Sequence, residues 1–181
     1  RSVPIEDVVP NPGQPRRKFD EDALDDLAAS IRAKGILQPL IVRPNPEGSA
    51  TWQIVAGERR WRAAQRAQLH SVPVIVRQLD DTEVLEVAIV ENIQRANLNP
   101  VEEAQGYRQL IEAFGHTQEQ LSQSLGRSRS HIANALRLLT LPADVQEHLA
   151  TGRLSAGHAR ALVTTDNASE LARQVIAKSL S

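Results

Sequence analysis

The first half of the chain is organised around residues 53–62, QIVAGERRWR, where an apolar strand pattern meets an arginine-rich helix at one glycine. The alternation predicts a strand over residues 52–56 and a helix over residues 58–67. Gly57 would let a ligand approach the backbone closely, and the N–H groups at the helix start favour an anion. Three arginines add planar donors that match phosphate oxygens: Arg59, Arg60 and Arg62. The alternative is a solvated helix after a glycine turn.

A second charged motif, Glu91-Asn92-Ile93-Gln94-Arg95, follows a predicted helix for which Asp81 is the expected N-cap. Glu91 and Asn92 carry side-chain oxygens, which suit Mg²⁺ because that ion takes few protein ligands and is completed by phosphates. Arg95 lies one helical turn away and would reach the same phosphates. The alternative is an exposed helix end with a Glu91–Arg95 pair, which stabilises by only about 0.2–0.5 kcal/mol.

The hydrophobic pattern predicts an α+β unit over residues 1–98 and an all-helical unit over residues 99–181. A strand is expected over residues 3–9 and a helix over residues 21–34, with Asp20 as its N-cap, Phe19 and Leu24 as a hydrophobic staple and Gly35 at its end. Further strands are expected over residues 40–43 and 72–78. Beyond Leu98, six helices are predicted: 100–114, 118–125, 129–139, 143–150, 156–163 and 168–179.

A helix-turn-helix pattern covers residues 118–139, with Thr117 and Ser128 as the two N-caps and Gly126 in the turn. The apolar residues expected to face inward on the second helix are Ile132, Leu136 and Leu139. Polar residues near its start, where recognition helices meet base edges, are Arg129, Ser130, His131 and Asn134. Ser155 would cap a later helix whose start offers N–H groups to a DNA phosphate. The alternative is a helical hairpin in a bundle.

Composition excludes several classes of protein. The chain has 181 residues, a formal net charge of −1 and no cysteine, which excludes disulfides, thiolate metal sites and cysteine nucleophiles. No apolar run approaches the ~18 residues of a membrane helix, and no secretory leader is seen. The histidines lack metal-ligand spacing, and no Gly-x-Ser-x-Gly motif supports a serine nucleophile. The absence of cysteine suits a reducing cytoplasm, and because methionine is absent even at position 1, we expect a portion of a longer protein.

These motifs resemble the ParB family of chromosome and plasmid partition proteins, which are CTP-dependent DNA clamps that hydrolyse CTP slowly. The resemblance covers essentially the whole chain. It rests on the segments Gln14-Pro15-Arg16, Gly35-Ile36-Leu37-Gln38-Pro39-Leu40, Gly57-Glu58-Arg59-Arg60-Trp61-Arg62-Ala63, Glu91-Asn92-Ile93-Gln94-Arg95 and Leu98-Asn99-Pro100-Val101-Glu102-Glu103-Ala104.

The resemblance implies a fold and specific residues. The N-terminal domain would be the ParB/sulfiredoxin-like α+β fold, followed by a helix-turn-helix domain. Residues implied around CTP are Gln14, Arg16, Ser30, Gly35, Gly57, Glu58, Arg59, Arg60, Glu91, Asn92 and Arg95. Of these, Glu91 and Asn92 would serve Mg²⁺, and Gln14 or Glu58 would position the attacking water. Residues expected at the DNA are Ser128, Arg129, Ser130, His131, Asn134, Ala135, Thr140, Gly157 and His158.

The resemblance also implies partners. A homodimer would load onto double-stranded parS DNA. CTP·Mg²⁺ would then dock the N-terminal domains of the two subunits on each other, and a segment outside this sequence would contact the ATPase ParA. The protein would be cytoplasmic and nucleoid-associated, without a membrane partner. The alternatives are a Noc-like nucleoid-occlusion factor or related repressor of the same fold, a sulfiredoxin-like enzyme, which would need the absent cysteine, and a helical adaptor.

Overall fold

The computed structural model describes residues 1–12, 20–48, 51–95 and 97–178 of the chain. These residues form two compact units, Arg1–Glu91 and Asn92–Ser181. The expected boundary after residue 98, between a nucleotide-binding and a DNA-binding domain, stays a prediction, because the boundary between the two packed units after Glu91 does not show where each function ends. Within the described ranges, no helix has both the length and the apolar character needed to cross a membrane.

A mixed sheet with flanking helices forms the first unit. Its strands are β1 (Ser2–Pro4), β2 (Val8–Val9), β3 (Leu40–Pro44), β4 (Trp52–Ala56) and β5 (Ser71–Val76), and its helices are α1 (Glu21–Lys34), α2 (Glu58–Arg66) and α3 (Asp81–Ile93), whose last two residues belong to the second unit. The strand order in the described residues is β1-β5-β3-β4-β2. β3 pairs antiparallel with β4 and parallel with β5, β1 pairs antiparallel with β5, and β2 pairs parallel with β4.

The expected single strand over residues 3–9 is wrong, because a 3₁₀ turn at Ile5–Asp7 divides it into β1 and β2. These two strands stand at opposite ends of the strand order. Four inter-strand steps would separate the edges of a flat sheet by about 19 Å, whereas the chain from Pro4 to Val8 spans at most about 14 Å. The sheet must therefore curl so that its edges approach each other.

The core of the first unit follows from strand alternation. Val72 and Val74 on β5 and Leu40 and Val42 on β3 are buried, as a period of two requires when one sheet face is covered. Small residues allow α1 and α2 to pack closely on each other. The buried residues of that helix contact are Ala28, Ile31, Ala63 and Ala67.

Local capping determines the ends of α1 and the start of α3. The Asp20 carboxylate accepts hydrogen bonds from the N–H of Asp22 at 2.9 Å and of Ala23 at 3.4 Å, which confirms the predicted N-cap. The expectation for α3 is wrong by one residue. Asp80, not Asp81, forms the capping box: its carboxylate accepts from Glu83 N at 2.8 Å, and Glu83 accepts from Asp80 N at 3.2 Å. The staple residue Phe19 lies outside the described residues.

The second unit is helical throughout its described residues after α3. Its helices are α4 (Pro100–Phe114), α5 (Gln118–Leu125), α6 (Arg129–Leu138), α7 (Ala143–Ala150), α8 (Ala156–Leu162) and α9 (Ala168–Lys178). The mixed sheet followed by helices confirms the expected fold class. The predicted helix starts also agree, and several depend on a local cap such as Asn99, whose Oδ1 accepts from Glu102 N at 2.9 Å.

The helix-turn-helix is formed by α5 and α6. Thr117 and Gln120 make a capping box at the start of α5, and Gly126 ends that helix. The Ser128 hydroxyl accepts from His131 N at 3.0 Å and so caps α6. The expected inward stripe of α6 is partly wrong: Ile132 is buried as expected, but the positions buried with it are Ala135 and Leu138, while Leu136 and Leu139 are half-buried.

Close packing inside the second unit requires a glycine at position 106 of α4. A Cβ built on Gly106 would lie 2.6 Å from Ile93 Cγ1 and 2.8 Å from its Cδ1. Ile93 is buried at the end of α3. The missing side chain therefore allows the isoleucine to pack against the helix backbone.

We expect Gly106→Ala to destabilise the chain by about 1–3 kcal/mol, because the new methyl group overlaps Ile93. Urea denaturation measures this loss. Gly157→Ala is the matched control, since that helical glycine has no atom nearer than 3.8 Å to a built Cβ. Adding Ile93→Ala should recover part of the loss relative to the sum of the single changes. Strict additivity would contradict the proposed overlap.

Candidate functional sites

Gly57 makes the turn from β4 to α2 in a conformation that other residues rarely adopt. Its φ is +105°, in the left-handed region that favours glycine. A Cβ there would lie 2.7 Å from Leu40 Cδ2 and 3.2 Å from an Arg60 guanidinium nitrogen. The turn therefore depends on glycine for its backbone angle and for the space that Leu40 and Arg60 occupy.

Arg60 folds back over this turn onto the segment that precedes β3. Its Nη1 donates to the carbonyl oxygen of Gln38 at 2.6 Å and to that of Pro39 at 2.8 Å. Burial lowers the pKa of Arg60, and the negative charge of Glu91 partly offsets this effect. The contacts and the charge effect bring three predicted segments together in the first unit: the Gly35–Leu40 segment, the Gly57–Arg60 turn and Glu91.

The arginines of α2 differ in what they contact. Arg62 Nη2 lies 3.1 Å from Glu58 Oε1, and Arg66 pairs with Glu21 and, at 2.7 Å, with Asp25. These two arginines hold α2 to its own start and to α1. Arg59 and Arg60 remain as the α2 arginines whose charge has no carboxylate hydrogen bond among the described residues. They are therefore the better candidates for an anion.

Glu58 is a carboxylate with one unused oxygen. Its side chain is 6% exposed, and Oε2 is buried without a hydrogen-bond partner among the described residues. Such an atom normally has a donor, a water or an ion beside it. Nowhere in the described ranges do three His, Cys, Asp or Glu side chains cluster as metal ligands. Mg²⁺ is usually held by few protein oxygens and completed by phosphate and water, so the side-chain oxygens of Glu91 and Asn92 are chemically suited to it.

The other predicted nucleotide residues occupy different positions. Ser30 is exposed on α1, and Gly35 caps the end of that helix. Asn92 follows Glu91 on α3, and Arg95 lies beyond the end of α3 with its Nη2 3.8 Å from Glu102 Oε2. Gln14 and Arg16 lie outside the described residues, so their assignment stays a prediction.

Arg43 is a buried residue that the sequence analysis missed. Its side chain is 8% exposed, and it donates to Gln53 Oε1 at 2.8 Å, to the Leu79 carbonyl at 3.1 Å and to Asp81 Oδ1 at 2.7 Å. This network ties β3 and β4 to the start of α3, the helix that carries Glu91. The available signal was a charged residue inside the otherwise apolar strand LIVRP.

The start of α6 presents the polar side chains expected of a DNA reader. Ser128, Arg129, Ser130 and His131 are exposed there, and Asn134 is half-buried. The positive end of the helix dipole and the exposed guanidinium of Arg129 favour a polyanion at this end. The exposed surface agrees with the predicted interface but does not itself test a DNA contact.

The other four predicted DNA residues have different surroundings. Ala135 is 8% exposed and packs inward, so its methyl group cannot meet a base without rearrangement. Thr140 is exposed, but its hydroxyl donates to the Arg137 carbonyl at 2.6 Å. Gly157 is exposed on α8, and the next residue, His158, has Nδ1 3.0 Å from the Ser155 hydroxyl oxygen.

The sequence analysis also missed a contact between α4 and α6. Glu103 accepts a hydrogen bond from Tyr107 and lies 2.7 Å from His131 Nε2. Glu103 and Tyr107 are four residues apart on α4, a spacing that places them on one helix face. Their contact with residue 131 could not be predicted from local patterns.

The chain thus combines an α+β unit, whose glycine turn at Gly57 lies beside Arg59 and Arg60, with a second unit that carries a helix-turn-helix. The sequence-family model of the ParB N-terminal domain matches residues 1–93, and the sequence-family model of the ParB HTH domain matches residues 96–181. The chain belongs to the ParB family.

Named relatives agree with this assignment. The chain is 56% identical over 181 residues to the chromosome-partitioning protein ParB of Caulobacter vibrioides strain NA1000, covering 100% of this chain and 60% of that relative. It is also similar to two crystal structures of the C-terminally truncated ParB from Caulobacter crescentus. The structure complexed to the centromeric parS site has 54% identity and a TM-score of 0.91, with 100% of this chain and 94% of that chain covered. The structure complexed with CTP-gamma-S has 56% identity and a TM-score of 0.51, with 97% and 98% covered.

We expect Gly57→Ala to destabilise the first unit by about 2–4 kcal/mol, because it combines backbone strain with overlap at Leu40. Gly48→Ala is the matched control: Gly48 also has positive φ, +92°, but a Cβ there would meet only Asn45 Nδ2 at 3.7 Å. Urea denaturation followed by circular dichroism compares the two variants. An equal loss for both would show that the Leu40 contact does not matter.

Proposed function

We propose that this chain is the nucleotide- and DNA-binding portion of a chromosome-partitioning protein that recognises parS and is switched by CTP. The observation that carries the proposal is the convergence of Arg60, the Gln38 and Pro39 carbonyls and Glu91 beside the Gly57 turn. The relatives crystallised with parS and with CTP-gamma-S support it. They also favour partition over the Noc-like alternative, because the named relatives are chromosome-partitioning proteins.

The phosphates of CTP would lie at the start of α2. Arg59 and Arg60 would donate to phosphate oxygens, and the N–H groups that follow Gly57 would add uncharged donors. Arg60 would exchange at least one of its carbonyl contacts for a phosphate, so nucleotide binding would alter the Gln38–Pro39 segment. Ser30, Gly35 and, by resemblance, Gln14 and Arg16 would contact the ribose and cytosine.

Slow hydrolysis of CTP to CDP and phosphate is part of the proposal. Mg²⁺, when bound, would neutralise charge on the phosphates. Glu91, Asn92 and Arg95 would hold the ion and the phosphates, and the unused Oε2 of Glu58 would orient a water for in-line attack at the γ-phosphate. A fixed carboxylate gives limited acceleration, which suits a switch that resets slowly.

The start of α6 would read the parS site. Arg129 is suited to a bidentate contact with guanine, and Asn134 to adenine or phosphate. Ser130, His131, Gly157 and His158 would lie at the same duplex. CTP would act as a ligand with unequal affinity for an open and a closed dimer, so that parS loading and CTP binding favour the same closed state. Such a protein would be found in the cytoplasm on the nucleoid, and ParA binding stays a prediction about other segments.

We expect Arg60→Ala to weaken CTP binding by about 10- to 100-fold, because charge-assisted hydrogen bonds are lost. Isothermal titration calorimetry with CTP, ATP, GTP and UTP, each with Mg²⁺, measures this effect. The same variant should bind a parS duplex with nearly unchanged initial affinity. Arg62→Ala is the control for charge. Equal loss of CTP and DNA binding would contradict two separate sites, and no heat with CTP would reject the nucleotide proposal.

We expect Arg129→Ala to remove most discrimination between parS and scrambled duplexes, about 5- to 100-fold, through loss of a base contact. Gly157→Ala should keep its stability, because a Cβ there meets no internal atom closer than 3.8 Å, yet it should weaken DNA binding if a duplex approaches that surface. Fluorescence anisotropy at fixed salt measures both. Wild-type discrimination by Arg129→Ala would mean that the reader has been assigned incorrectly.

A further inference from the structure

A carboxylate on α4 fixes one imidazole nitrogen of the helix-turn-helix. Glu103 Oε1 lies 2.7 Å from His131 Nε2 and also accepts the hydroxyl of Tyr107. The Tyr107 ring stands edge-on to the His131 ring, with centroids 6.4 Å apart and an interplanar angle of 84°. Tyr107 is fully buried. The buried Tyr107 side chain therefore fixes the Glu103 carboxylate by a hydrogen bond, and that carboxylate fixes the imidazole of His131.

The protonation states of Glu103 and Tyr107 determine which atoms donate in the hydrogen bonds among Glu103, Tyr107 and His131. Burial alone would raise the pKa of Glu103, but the hydrogen bonds from Tyr107 and His131 and the nearby charges of His131 and Arg127 lower that pKa overall. Burial, followed by the hydrogen bond to Glu103, raises the pKa of Tyr107. Glu103 is therefore an ionised acceptor, and the Tyr107 hydroxyl keeps its proton. His131 must accordingly carry a proton on Nε2.

The other ring nitrogen of His131 belongs to an exposed side chain in the first turn of α6, the end of that helix that would meet DNA. His131 is the third residue of α6, and its N–H is already bonded to the Ser128 hydroxyl at 3.0 Å. Its side chain is 44% exposed, against 20% for Glu103. Among the described residues, Nδ1 has no hydrogen-bond partner. The ring is thus fixed at Nε2 and open at Nδ1, beside the exposed Arg129 and Ser130.

We propose that Glu103 and Tyr107 are positioning residues for DNA recognition, which hold His131 with Nε2 protonated and present its Nδ1 to the duplex. The proposal rests on the proposed DNA-binding function of α6. Glu103 and Tyr107 would not touch DNA themselves. Their effect would pass through one imidazole, which makes α4 part of the reader although it lies outside the helix-turn-helix motif.

Whether Glu103→Gln strengthens or weakens DNA binding distinguishes a positioning role of Glu103 from a purely electrostatic effect of its charge. Removing a negative charge near a polyanion should strengthen DNA binding if long-range charge alone matters. If Glu103 positions His131, the same change should instead weaken parS binding, by about three- to tenfold, the usual effect of a lost hydrogen bond. Glu112→Gln is the matched control, since it removes the same charge from an exposed position of α4.

The first experiment is a double-mutant cycle with a parS duplex and a scrambled duplex. Anisotropy at fixed salt compares wild type, Glu103→Gln, Tyr107→Phe, His131→Ala and the two double variants with His131→Ala. Glu103→Gln and Tyr107→Phe should each weaken parS binding in the wild-type background. In the His131→Ala background Tyr107→Phe should have no effect, and Glu103→Gln should show only the charge effect that Glu112→Gln measures. Equal effects in both backgrounds, stronger binding, or no effect of His131→Ala would overturn the proposal. Urea denaturation of each variant identifies losses that come from unfolding.

The second experiment examines the free chain and does not depend on DNA. ¹⁵N-edited NMR of the histidine rings should find a proton on Nε2 of His131, and Glu103→Gln should shift the population toward the Nδ1–H tautomer. A dominant Nδ1–H tautomer in the wild type would overturn the proposal. If the wild type binds neither duplex, the DNA-reading function fails together with the positioning role, whereas normal wild-type binding with an uncoupled cycle rejects the positioning role alone.

Discussion

The backbone angle at Gly57 is the constraint on which the site of the first unit depends. With φ of +105°, the chain turns from β4 into α2 so tightly that a side chain at the turn would collide with Leu40 on β3. The same absence of a side chain leaves room for Arg60 to fold back to the Gln38 and Pro39 carbonyls. The absence of a Cβ at Gly57 therefore allows the end of β4, the start of α2 and the Gln38–Pro39 segment to lie close together. An anion at the start of α2 would lie next to Arg60.

The buried and half-buried arginines of the first unit differ in their partners: some form ion pairs that stabilise the fold, whereas Arg60 contacts carbonyl oxygens. Arg43, Arg62 and Arg66 have carboxylate partners, so their charges are largely committed within the unit. Among the described residues, the hydrogen-bond partners of Arg60 are the carbonyl oxygens of Gln38 and Pro39, and burial lowers the pKa of Arg60. A carbonyl is a weaker partner for a guanidinium than a carboxylate or phosphate. Arg60 is consequently the arginine that gains most by meeting an anion, and its release would move the segment before β3.

Local chemistry explains what the sequence could predict. Helix starts were predicted correctly at Asp20, Asn99, Thr117, Ser128 and Ser155 because each cap acts within three residues. The strand order could not be predicted, since it depends on pairings such as that of β1 with β5. The same limit hid Arg43, which reaches Asp81, and Glu103, which reaches His131. Residue chemistry predicted the phosphate and Mg²⁺ roles, whereas the cytosine-side and water-positioning roles followed from the family resemblance, and all of these roles stay predictions.

Two glycines show why a small residue must be interpreted through its surroundings. At Gly57 both the backbone angle and the neighbouring atoms exclude a side chain, so the fold alone accounts for glycine. At Gly157 the backbone is helical, and the nearest atom to a built Cβ in the described part of the chain is Ser155 Oγ at 3.8 Å. Alanine would favour that helix slightly, so internal packing gives no reason for glycine there. The exposed surface of α8 at Gly157 therefore leaves room for an approaching partner, which is consistent with the proposal that a DNA backbone comes close to it.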